Sequence, residues 1–329
     1  MTALTVLFLG GSGTISSACS WRAVEQDVDL WVLNRGRSST RSLPGAAHHL
    51  TADVDDPGAI GEAIGDRFFD AVVDWLAFTP DQVRARTDLF RGRVGQYVFI
   101  SSASAYQTPP ARMPVTESTP LRNPFWEYSR NKIACEDLLT RLYRDEGYPI
   151  TIVRPSHTYD ETSIPLEGGW TVVDRMRRGL PIVVHGDGTS LWTLTHARDF
   201  ARDFVPLLGH PRTLGEAFHI TGDDVLTWDQ IAGALGSAAG AEPDIVHVPS
   251  DAIAAVDPDW GAGLLGDKAH SMVFDNSKVR GLSREAFTTT RFEQGAREIV
   301  AWHDADPARR SVDARHDALV TRLVERFRP

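Results

Sequence analysis

The stretch TVLFLGGSGTIS, residues 5–16, decides the fold. Five apolar or β-branched residues lead into a glycine cluster, and a segment with helical periodicity follows. An apolar run of this length is typical of a strand that is covered on both faces. Gly10 and Gly13 let the backbone turn tightly and approach a diphosphate, whose charge would face the free amides at the start of the next helix. Ser16 stands in place of the usual third glycine.

The same alternation of strand and helix continues to about residue 155. The predicted strands are Thr5 to Leu9, Val28 to Leu33, Ala71 to Trp75, Tyr97 to Ser101 and Ile150 to Arg154. The predicted helices lie near residues 14–25, 57–66, 80–91 and 127–146. Strict alternation predicts an α/β fold with a doubly wound parallel sheet, because parallel neighbours need a crossover helix between them.

The pattern becomes irregular after residue 155, which predicts a smaller, mostly C-terminal α/β domain for the substrate. Loop-like segments SIPLEGGW and HGDGTSLW interrupt it, and helices are predicted near residues 196–208, 227–237, 285–303 and 311–326. We assign residues 1–155, with roughly 195–225, to a dinucleotide-binding domain. The substrate-binding domain then takes roughly residues 156–194 and 226–329.

Composition excludes several classes of protein. The chain has 329 residues and a formal net charge of −10, which argues against a general nucleic-acid binder and against binding to an anionic membrane surface. The two cysteines, Cys19 and Cys135, show no metal-ligand spacing, so we expect no metal site and a reducing compartment. The N-terminal apolar run is too short to span a membrane. These features predict a cytoplasmic location.

The second predicted strand ends in VLNRGRS, which bears on the choice of dinucleotide. NAD sites usually place an acid at this point to hold the ribose hydroxyls, whereas an arginine can meet a 2′-phosphate. Here Asn34 is followed by Arg35 and Arg37. The stretch therefore favours NADP, although a neutral asparagine can still hydrogen-bond a diol.

Two further stretches carry candidate acid/base groups. In FWEYSRNKIACEDLL, residues 125–139, Tyr128 and Lys132 lie four apart and share a helix face, so the ammonium can favour loss of the phenolic proton. In FISSASAY, residues 99–106, serine hydroxyls stand at the carboxyl end of a central strand, where doubly wound folds bind their ligands. Taken singly, the first could be an exposed surface pair and the second a strand end that bonds its own backbone.

Together with VRPSHTY at the sixth strand, these motifs resemble the extended short-chain dehydrogenase/reductase superfamily, which includes nucleotide-sugar epimerases and dehydratases. The segments GLPIVVHGDGTSLWTLTHARDFARDF and FDNSKVRGL are similar to later parts of that family, so the resemblance covers nearly the whole chain. It implies a Rossmann-type fold, NAD or NADP as cofactor, a small-molecule substrate and a possible homodimer, with neither nucleic acid nor membrane as partner.

The resemblance also implies roles for individual residues. Ser102, Tyr128 and Lys132 take the catalytic positions, with Tyr128 as general acid/base and Lys132 holding the cofactor ribose and lowering the tyrosine pKa. Ser104, His157 and Trp192 take substrate positions. The implied cofactor contacts are Gly10, Ser12, Gly13, Thr14, Ile15, Asn34, Arg35, Asp53, Val54, Leu76, Ala77, Ser101, Tyr128, Lys132 and Pro155.

The chain departs from the family where a substrate diphosphate is usually held. Trp192 stands in place of one arginine, Leu265 in place of a second before Gly266 and Asp267, and His157 in place of an asparagine. Charge-assisted pairs of this kind contribute roughly 1.5 to 3 kcal/mol each. Their loss predicts a sugar-like substrate without a diphosphate, such as a nucleoside or a glycosylated metabolite, with Trp192 stacking on its ring. Arg175, Arg177 and Arg178 could still supply positive charge from another direction.

Four functions remain open from the sequence. The favoured one is transient oxidation of a secondary alcohol followed by epimerisation or elimination. An NADP-dependent ketoreductase or dehydrogenase with net turnover is the first alternative, a non-catalytic dinucleotide sensor the second, and an RNA-associated protein like certain chloroplast relatives with a similar NRG stretch the third. Dehydratases of the family carry an Asp-Glu pair where this chain has Ala103 and Ser104, so elimination would need another group, of which His157 is one.

Overall fold

The structure is a computed structural model that describes residues 3–36, 40–282 and 289–328. Arg37 and the start of the helix predicted at residues 285–303 lie outside this described part. Strands are β1 Thr5–Leu9, β2 Asp29–Asn34, β3 His48–Thr51, β4 Ala71–Asp74, β5 Tyr97–Ile100, β6 Ile150–Pro155, β7 His157–Tyr159, β8 Ile182–His185, β9 Leu191–His196, β10 Glu216–Ile220, β11 Val225–Thr227 and β12 Ile245–Val248.

The α-helices follow the alternation that the sequence predicts. They are α1 Thr14–Glu25, α2 Pro57–Ile64, α3 Pro80–Leu89, α4 Glu127–Glu146, α5 Trp170–Arg177, α6 Ala197–Phe204, α7 Trp228–Ala239, α8 Ser250–Ala254, α9 Pro258–Gly263, α10 Ser277–Arg280, α11 Phe292–Asp304 and α12 Ala314–Phe327. A single π-helical turn, Leu264–Lys268, follows α9. In the described ranges, no helix combines the length and the apolar character that crossing a membrane requires.

Seven parallel strands form the central sheet in the order β10-β6-β5-β4-β1-β2-β3. The predicted α/β fold with a doubly wound parallel sheet is confirmed. Strand β3 was missed because His48 and Thr51, in a short and largely exposed edge strand, give no apolar run. Buried apolar side chains cover both faces of the sheet, as a parallel sheet requires.

The strand order reverses between β1 and β4, and this switch point fixes where a ligand can bind. The chain leaves β1 toward α1 on one side and leaves β4 toward α3 on the other, so the two carboxyl ends frame a crevice. The glycine turn after β1 and the Trp75–Leu76 segment after β4 face each other there. A Cβ on Gly10 would lie 3.3 Å from the Leu76 side chain, which shows how closely the two walls approach.

The later part of the chain contributes two small sheets. One has the order β11-β9-β7 and the other pairs β12 with β8. Strand β10 and helix α6 return to the large sheet: β10 pairs with β6, and Phe200 and Phe204 pack into the same core as β1 and β4. The division into residues 1–155 with 195–225 and residues 156–194 with 226–329 stays a prediction.

A buried carboxylate organises the end of β4. Asp74 is fully buried and accepts hydrogen bonds from Arg86 of α3 at 2.6 Å and from the Tyr97 hydroxyl of β5 at 2.6 Å. It also accepts from the backbone amides of Leu76 and Ala77 at 3.1 and 3.0 Å. Burial, together with the Asp74 charge, raises the pKa of Tyr97, so the phenol remains a donor. Asp74 thus connects β4, α3 and β5, and it fixes the turn that forms one wall of the crevice.

Removing the cation from this network should destabilise the fold. We expect Arg86→Met to lower the free energy of unfolding by about 3 to 5 kcal/mol, because it leaves the Asp74 charge buried without its partner. Urea denaturation followed by circular dichroism measures the change. The matched control is Arg84→Met, an exposed position on the same helix, which should change stability by less than about 0.5 kcal/mol. Equal effects of the two variants would contradict the role of Asp74.

Candidate active site

The crevice at the switch point is a cleft of about 790 Å³, here termed the glycine-turn cleft. It runs from the turn after β1 to the end of β2 and along the ends of β4 and β5. Eight of the predicted cofactor residues line it: Gly10, Ser12, Gly13, Ile15, Asn34, Arg35, Val54 and Leu76. Trp75, Ile100, Ser42, Leu43 and His49 also line it, and sequence reasoning missed them.

The glycine turn is shaped for a close approach by an anion. Gly10 and Gly11 have φ of +109° and +133°, and a Cβ on Gly11 would lie 2.6 Å from Val32, so neither position tolerates a side chain easily. Gly13 caps α1, which has no acidic residue in its first turn, so its amides and dipole remain available to a phosphate. Ser16 substitutes for the third glycine by accepting from the Gly13 amide at 2.8 Å.

The far end of the cleft is cationic. Asn34 and Arg35 both line it, and no carboxylate is among the described residues that do. The Asn34 amide oxygen accepts from the Gly36 amide at 2.8 Å, which closes the loop after β2. Asp53 is exposed and accepts from the Asp55 amide at 3.1 Å, while its neighbour Val54 supplies the cleft wall. Arginine without an opposing acid suits a 2′-phosphate better than a free diol.

Arg41 is a residue that sequence reasoning overlooked at this cleft. Its guanidinium forms an ion pair with Asp160, in which Nε lies 2.5 Å from a carboxylate oxygen. It also donates a hydrogen bond to the Thr14 hydroxyl at 3.1 Å. Arg41 thereby joins the loop after β2, the first residue of α1 and the loop after β7. Thr14, a predicted cofactor residue, lines the neighbouring surface beside Arg41 and not the cleft itself. The signal was weak because the sequence has Arg35, Arg37 and Arg41 close together and no motif singles out Arg41.

Lys132 is buried beneath the junction of β4 and β5. Its ammonium donates to the carbonyl of Ala77 at 2.7 Å and to that of Ile100 at 2.8 Å. Burial lowers its pKa to about 8, against the opposing effect of the Asp74 charge. The Phe78 ring lies 4.6 Å from the ammonium and shields it from solvent. Ser101, also predicted at the cofactor, donates its hydroxyl to Glu136 at 2.5 Å instead.

Tyr128 stands one helical turn before Lys132, with its ring centroid 5.7 Å from the ammonium. Burial raises the pKa of the Tyr128 phenol, the hydrogen-bonded Ser102 hydroxyl lowers it, and the charge of Asp267 raises it. Two backbone carbonyls hold the Lys132 ammonium, and the lowering of the Tyr128 pKa by Lys132 stays a prediction. A positively charged nicotinamide ring close by would favour the phenolate.

A second cavity, of about 250 Å³, lies beside the glycine-turn cleft and is here termed the inner pocket. The two cavities meet along the end of β5, since Ile100 lines the first and Ser102 the second. The inner pocket brings together six predicted residues: Ser102, Ser104, Tyr128, Pro155, His157 and Trp192. The Ser104 hydroxyl lies 2.9 Å from that of Ser102 and accepts from Ser129 at 2.7 Å. The described residues contain no cluster suited to a metal ion.

The model of the NAD dependent epimerase/dehydratase family matches residues 6–221. The chain belongs to this family. The predicted resemblance, and with it an NAD(P)-dependent enzyme class of the extended short-chain dehydrogenase type, is confirmed.

Relatives of this chain have names that describe different functions. The chain is 27% identical to the chloroplast stem-loop binding protein of 41 kDa b of Arabidopsis thaliana, over 74% of this chain and 65% of that protein. It is 26% identical to the 2′-dehydrokanamycin reductase of Streptomyces kanamyceticus, over 80% and 72%. Others are named UDP-glucose 4-epimerase and dTDP-glucose 4,6-dehydratase. An epimerase structure from Methanothermobacter thermautotrophicus shares the fold, with a TM-score of 0.76, 16% identity and coverage of 93% of this chain and 94% of that one.

The family's missing arginines are not replaced from α5. Arg175 pairs with Asp317, Arg177 with Asp304 and Arg178 with Asp174. None of the three lines the glycine-turn cleft or the inner pocket of the described structure.

Trp192 forms a wall of the inner pocket but is only 3% exposed. Its ring packs 5.5 Å from that of Trp228, and its indole N–H donates to His157 Nδ1 at 3.1 Å. Little of the ring is free to stack on a substrate. Trp126, which precedes α4 and is half-buried, offers a more accessible aromatic face. Its position two residues before Tyr128 is the sequence feature that could have identified it as a pocket residue.

The Ser102 hydroxyl should tune the acidity of Tyr128. We expect Ser102→Ala to raise the Tyr128 pKa, because the hydrogen bond that stabilises the phenolate is lost. Ultraviolet difference titration, with the signal of Tyr128→Phe subtracted, isolates this phenol. Ser118→Ala, at an exposed serine, is the control and should leave the titration unchanged. A Tyr128 pKa that falls or stays constant in Ser102→Ala would rule out the contact.

Proposed function

We propose that the protein transiently oxidises a secondary hydroxyl of a sugar-like substrate without a diphosphate, and then epimerises or dehydrates it. The position of Tyr128 carries the proposal. Its phenol lines the inner pocket, while Lys132 on the same helix is bonded to Ile100, a residue of the glycine-turn cleft. A nicotinamide dinucleotide held by the glycine turn would supply a hydride acceptor and donor.

Each residue of the site then has a defined task. Tyr128 takes the proton of the substrate hydroxyl as the carbinol carbon is oxidised and returns a proton later, because carbonyl formation requires loss of that proton. Ser102 donates to the same oxygen or to the phenolate. Lys132 contributes positive charge under the junction and holds the ends of β4 and β5 at a fixed separation through two carbonyls.

The charges around the inner pocket support a substrate without a diphosphate. Lys268 is the one lysine or arginine among the described residues that line it, and Asp267 lies directly beside it. A diphosphate buried there would lose its hydration and meet a carboxylate, whereas hydroxyl groups can bond to the serines, His157 and Asp267. Trp126 can stack on a flat ring.

NADP is the dinucleotide that the cleft favours. Asn34 replaces the usual acid after β2, and Arg35 lines the cleft beside it. A guanidinium pairs with a phosphate through two parallel hydrogen bonds, a geometry that a ribose diol does not offer. The location in the cytoplasm and a homodimer remain predictions from the sequence.

A second candidate function is a reductase with net turnover. The relative named 2′-dehydrokanamycin reductase favours it, since its alignment extends over 80% of this chain. The Ala103-Ser104 pair also removes the acidic residues that family dehydratases carry at that point. The two candidates differ in one respect. A reductase consumes NADPH in proportion to product, whereas an epimerase or dehydratase leaves the amount of NADPH unchanged at the end of the reaction.

A substrate panel tests the proposal. Protein loaded with NADP⁺ or NAD⁺ is incubated with uridine, adenosine, kanamycin, UDP-glucose and dTDP-glucose, and products are measured by mass spectrometry and chromatography. We expect conversion of a diphosphate-free compound, and a loss of about 10²- to 10⁴-fold in Tyr128→Phe with NADP⁺ binding retained. Tyr143→Phe, at a half-exposed tyrosine of the same helix, should retain activity. Conversion of only the two nucleotide sugars, or full activity in Tyr128→Phe, would refute the proposal.

Arg35 should discriminate between the two dinucleotides. We expect Arg35→Ala to weaken NADP⁺ binding by about tenfold or more and to leave NAD⁺ binding nearly unchanged, because the lost contact is to the 2′-phosphate. Isothermal titration of both dinucleotides measures this. Arg212→Ala, at an exposed arginine remote from the cleft, is the control. An equal loss of affinity for NAD⁺ and NADP⁺ would show that Arg35 does not contact the 2′-phosphate.

A further inference from the structure

A carboxylate that sequence reasoning did not assign to the chemistry, Asp267, faces the inner pocket. It lines the pocket together with Ser102, Tyr128 and His157, and it is the one acidic residue among the described residues that do so. The described structure gives its carboxylate oxygens neither a hydrogen-bond donor nor an ion pair within bonding distance. Asp267 is therefore an acceptor available to a substrate.

The backbone on each side of Asp267 is fixed. The Gly266 carbonyl accepts from the Asn123 side chain at 2.5 Å, and a Cβ on Gly266 would lie 2.6 Å from Trp126. The Lys268 carbonyl accepts from three side chains: His185, Ser190 and Trp228, at 3.0 to 3.2 Å. These bonds hold the π-helical turn Leu264–Lys268 between the segment that precedes α4 and the region of β8, β9 and α7. π-Helical turns of this kind often occur at functional sites.

The charge of Asp267 is close enough to Tyr128 to raise the pKa of the phenol. Burial raises the pKa of Asp267 to about 6, while the Lys268 ammonium opposes that shift. The titratable groups that surround Asp267 are Tyr128 on α4, His157 on β7, His185 on β8 and Lys268 on its own turn. At neutral pH the carboxyl is thus mostly ionised, yet it accepts a proton more readily than an exposed aspartate does.

His157 does not fill the same role, although the sequence raised it as a candidate. Its Nδ1 accepts the Trp192 indole proton, so the neutral ring carries its own proton on Nε2 and acts as a donor. Burial lowers the pKa of His157 to about 3, with the Lys268 charge acting in the same direction. The serine hydroxyls of the pocket are too weakly acidic and basic to move a carbon-bound proton.

We propose that Asp267 is the catalytic base that removes the proton from the substrate carbon next to the oxidised one. This step rests on the proposed function, which supplies the ketone by oxidation with a nicotinamide dinucleotide. The C–H electron pair moves to the carbonyl oxygen, the proton goes to the Asp267 carboxylate, and the Tyr128 phenol protonates the resulting enolate oxygen. The protonated Asp267 then returns its proton to the same carbon, which epimerises that carbon when the enol presents its other face, or to a leaving hydroxyl on the next carbon, which departs as water. In both cases the enol O–H electron pair re-forms the carbonyl group, and the enol proton returns to the Tyr128 phenolate.

Deuterium exchange tests the role of Asp267 separately from oxidation. Uridine, adenosine and kanamycin are each incubated with the NADP⁺-loaded protein in ²H₂O, and recovered compounds are analysed by mass spectrometry while absorbance at 340 nm reports oxidation. We expect Asp267→Asn to reduce deuterium uptake by about 10²- to 10⁴-fold and to change the first-turnover absorbance rise by less than about tenfold. In the wild type, uptake should fall as the pH drops below about 6, since the base is then protonated.

Two controls separate this role from a structural one. Asp251→Asn, at an exposed aspartate of α8, should keep both signals. Ultraviolet titration should show a lower Tyr128 pKa in Asp267→Asn than in the wild type, which requires no substrate. Asp267→Ala serves as a second variant. Both variants of Asp267 should bind NADP⁺ with the affinity of the wild type.

The outcomes distinguish the two proposals. Oxidation without deuterium uptake in the wild type, or unchanged uptake in Asp267→Asn, would overturn the role of Asp267 while leaving the oxidation intact. Absence of any absorbance change in the wild type with all compounds would refute the proposed function itself, and the role of Asp267 with it.

Discussion

The buried carboxylate of Asp74 is the constraint on which the site depends. It pairs with Arg86 and Tyr97 and holds the amides of Leu76 and Ala77, and the Ala77 carbonyl in turn accepts from Lys132. A buried ion pair contributes little net stability, but breaking one costs several kcal/mol, so its value here lies in fixing geometry. The same short turn after β4 forms the wall of the glycine-turn cleft and the anchor of Lys132. These contacts therefore link the sheet, the glycine-turn cleft and helix α4 to the Asp74 side chain.

Charge divides the two cavities into different recognition tasks. The glycine-turn cleft offers helix α1 amides and the Arg35 guanidinium, with no carboxylate among the described lining residues. The inner pocket offers serine hydroxyls, a neutral His157 and the Asp267–Lys268 pair, whose charges nearly balance. A doubly charged phosphate group is therefore favoured in the cleft and disfavoured in the pocket. Tyr128 lines the inner pocket, and Lys132 on the same helix is bonded to Ile100 of the glycine-turn cleft.

Much of the fold could be predicted from the sequence, because a parallel sheet covered on both faces leaves continuous apolar runs. Strand β1 and helices α1 and α4 were predicted with the bounds that the structure has. Strand β3 was not, since its largely exposed residues give no apolar run. Local motifs located Ser102, Tyr128, Lys132 and the glycine turn. Arg41 and Asp267 were missed because they enter the site through contacts between distant segments, as with Asn123 and Gly266, which lie 143 residues apart. The carbonyls of Ala77 and Ile100, which hold the Lys132 ammonium, also belong to segments distant from Lys132, so the sequence did not predict these contacts.

The central claim is that a bound nicotinamide dinucleotide would oxidise the substrate transiently while Tyr128 takes the proton of the substrate hydroxyl. Stopped-flow absorbance at 340 nm tests it most directly. NADP⁺-loaded protein is mixed with a compound that it converts. The account predicts a rise as the substrate is oxidised and a fall to the starting value as the hydride returns, with no net NADPH at the end. A steady accumulation of NADPH, or product formation without any change at 340 nm, would contradict it.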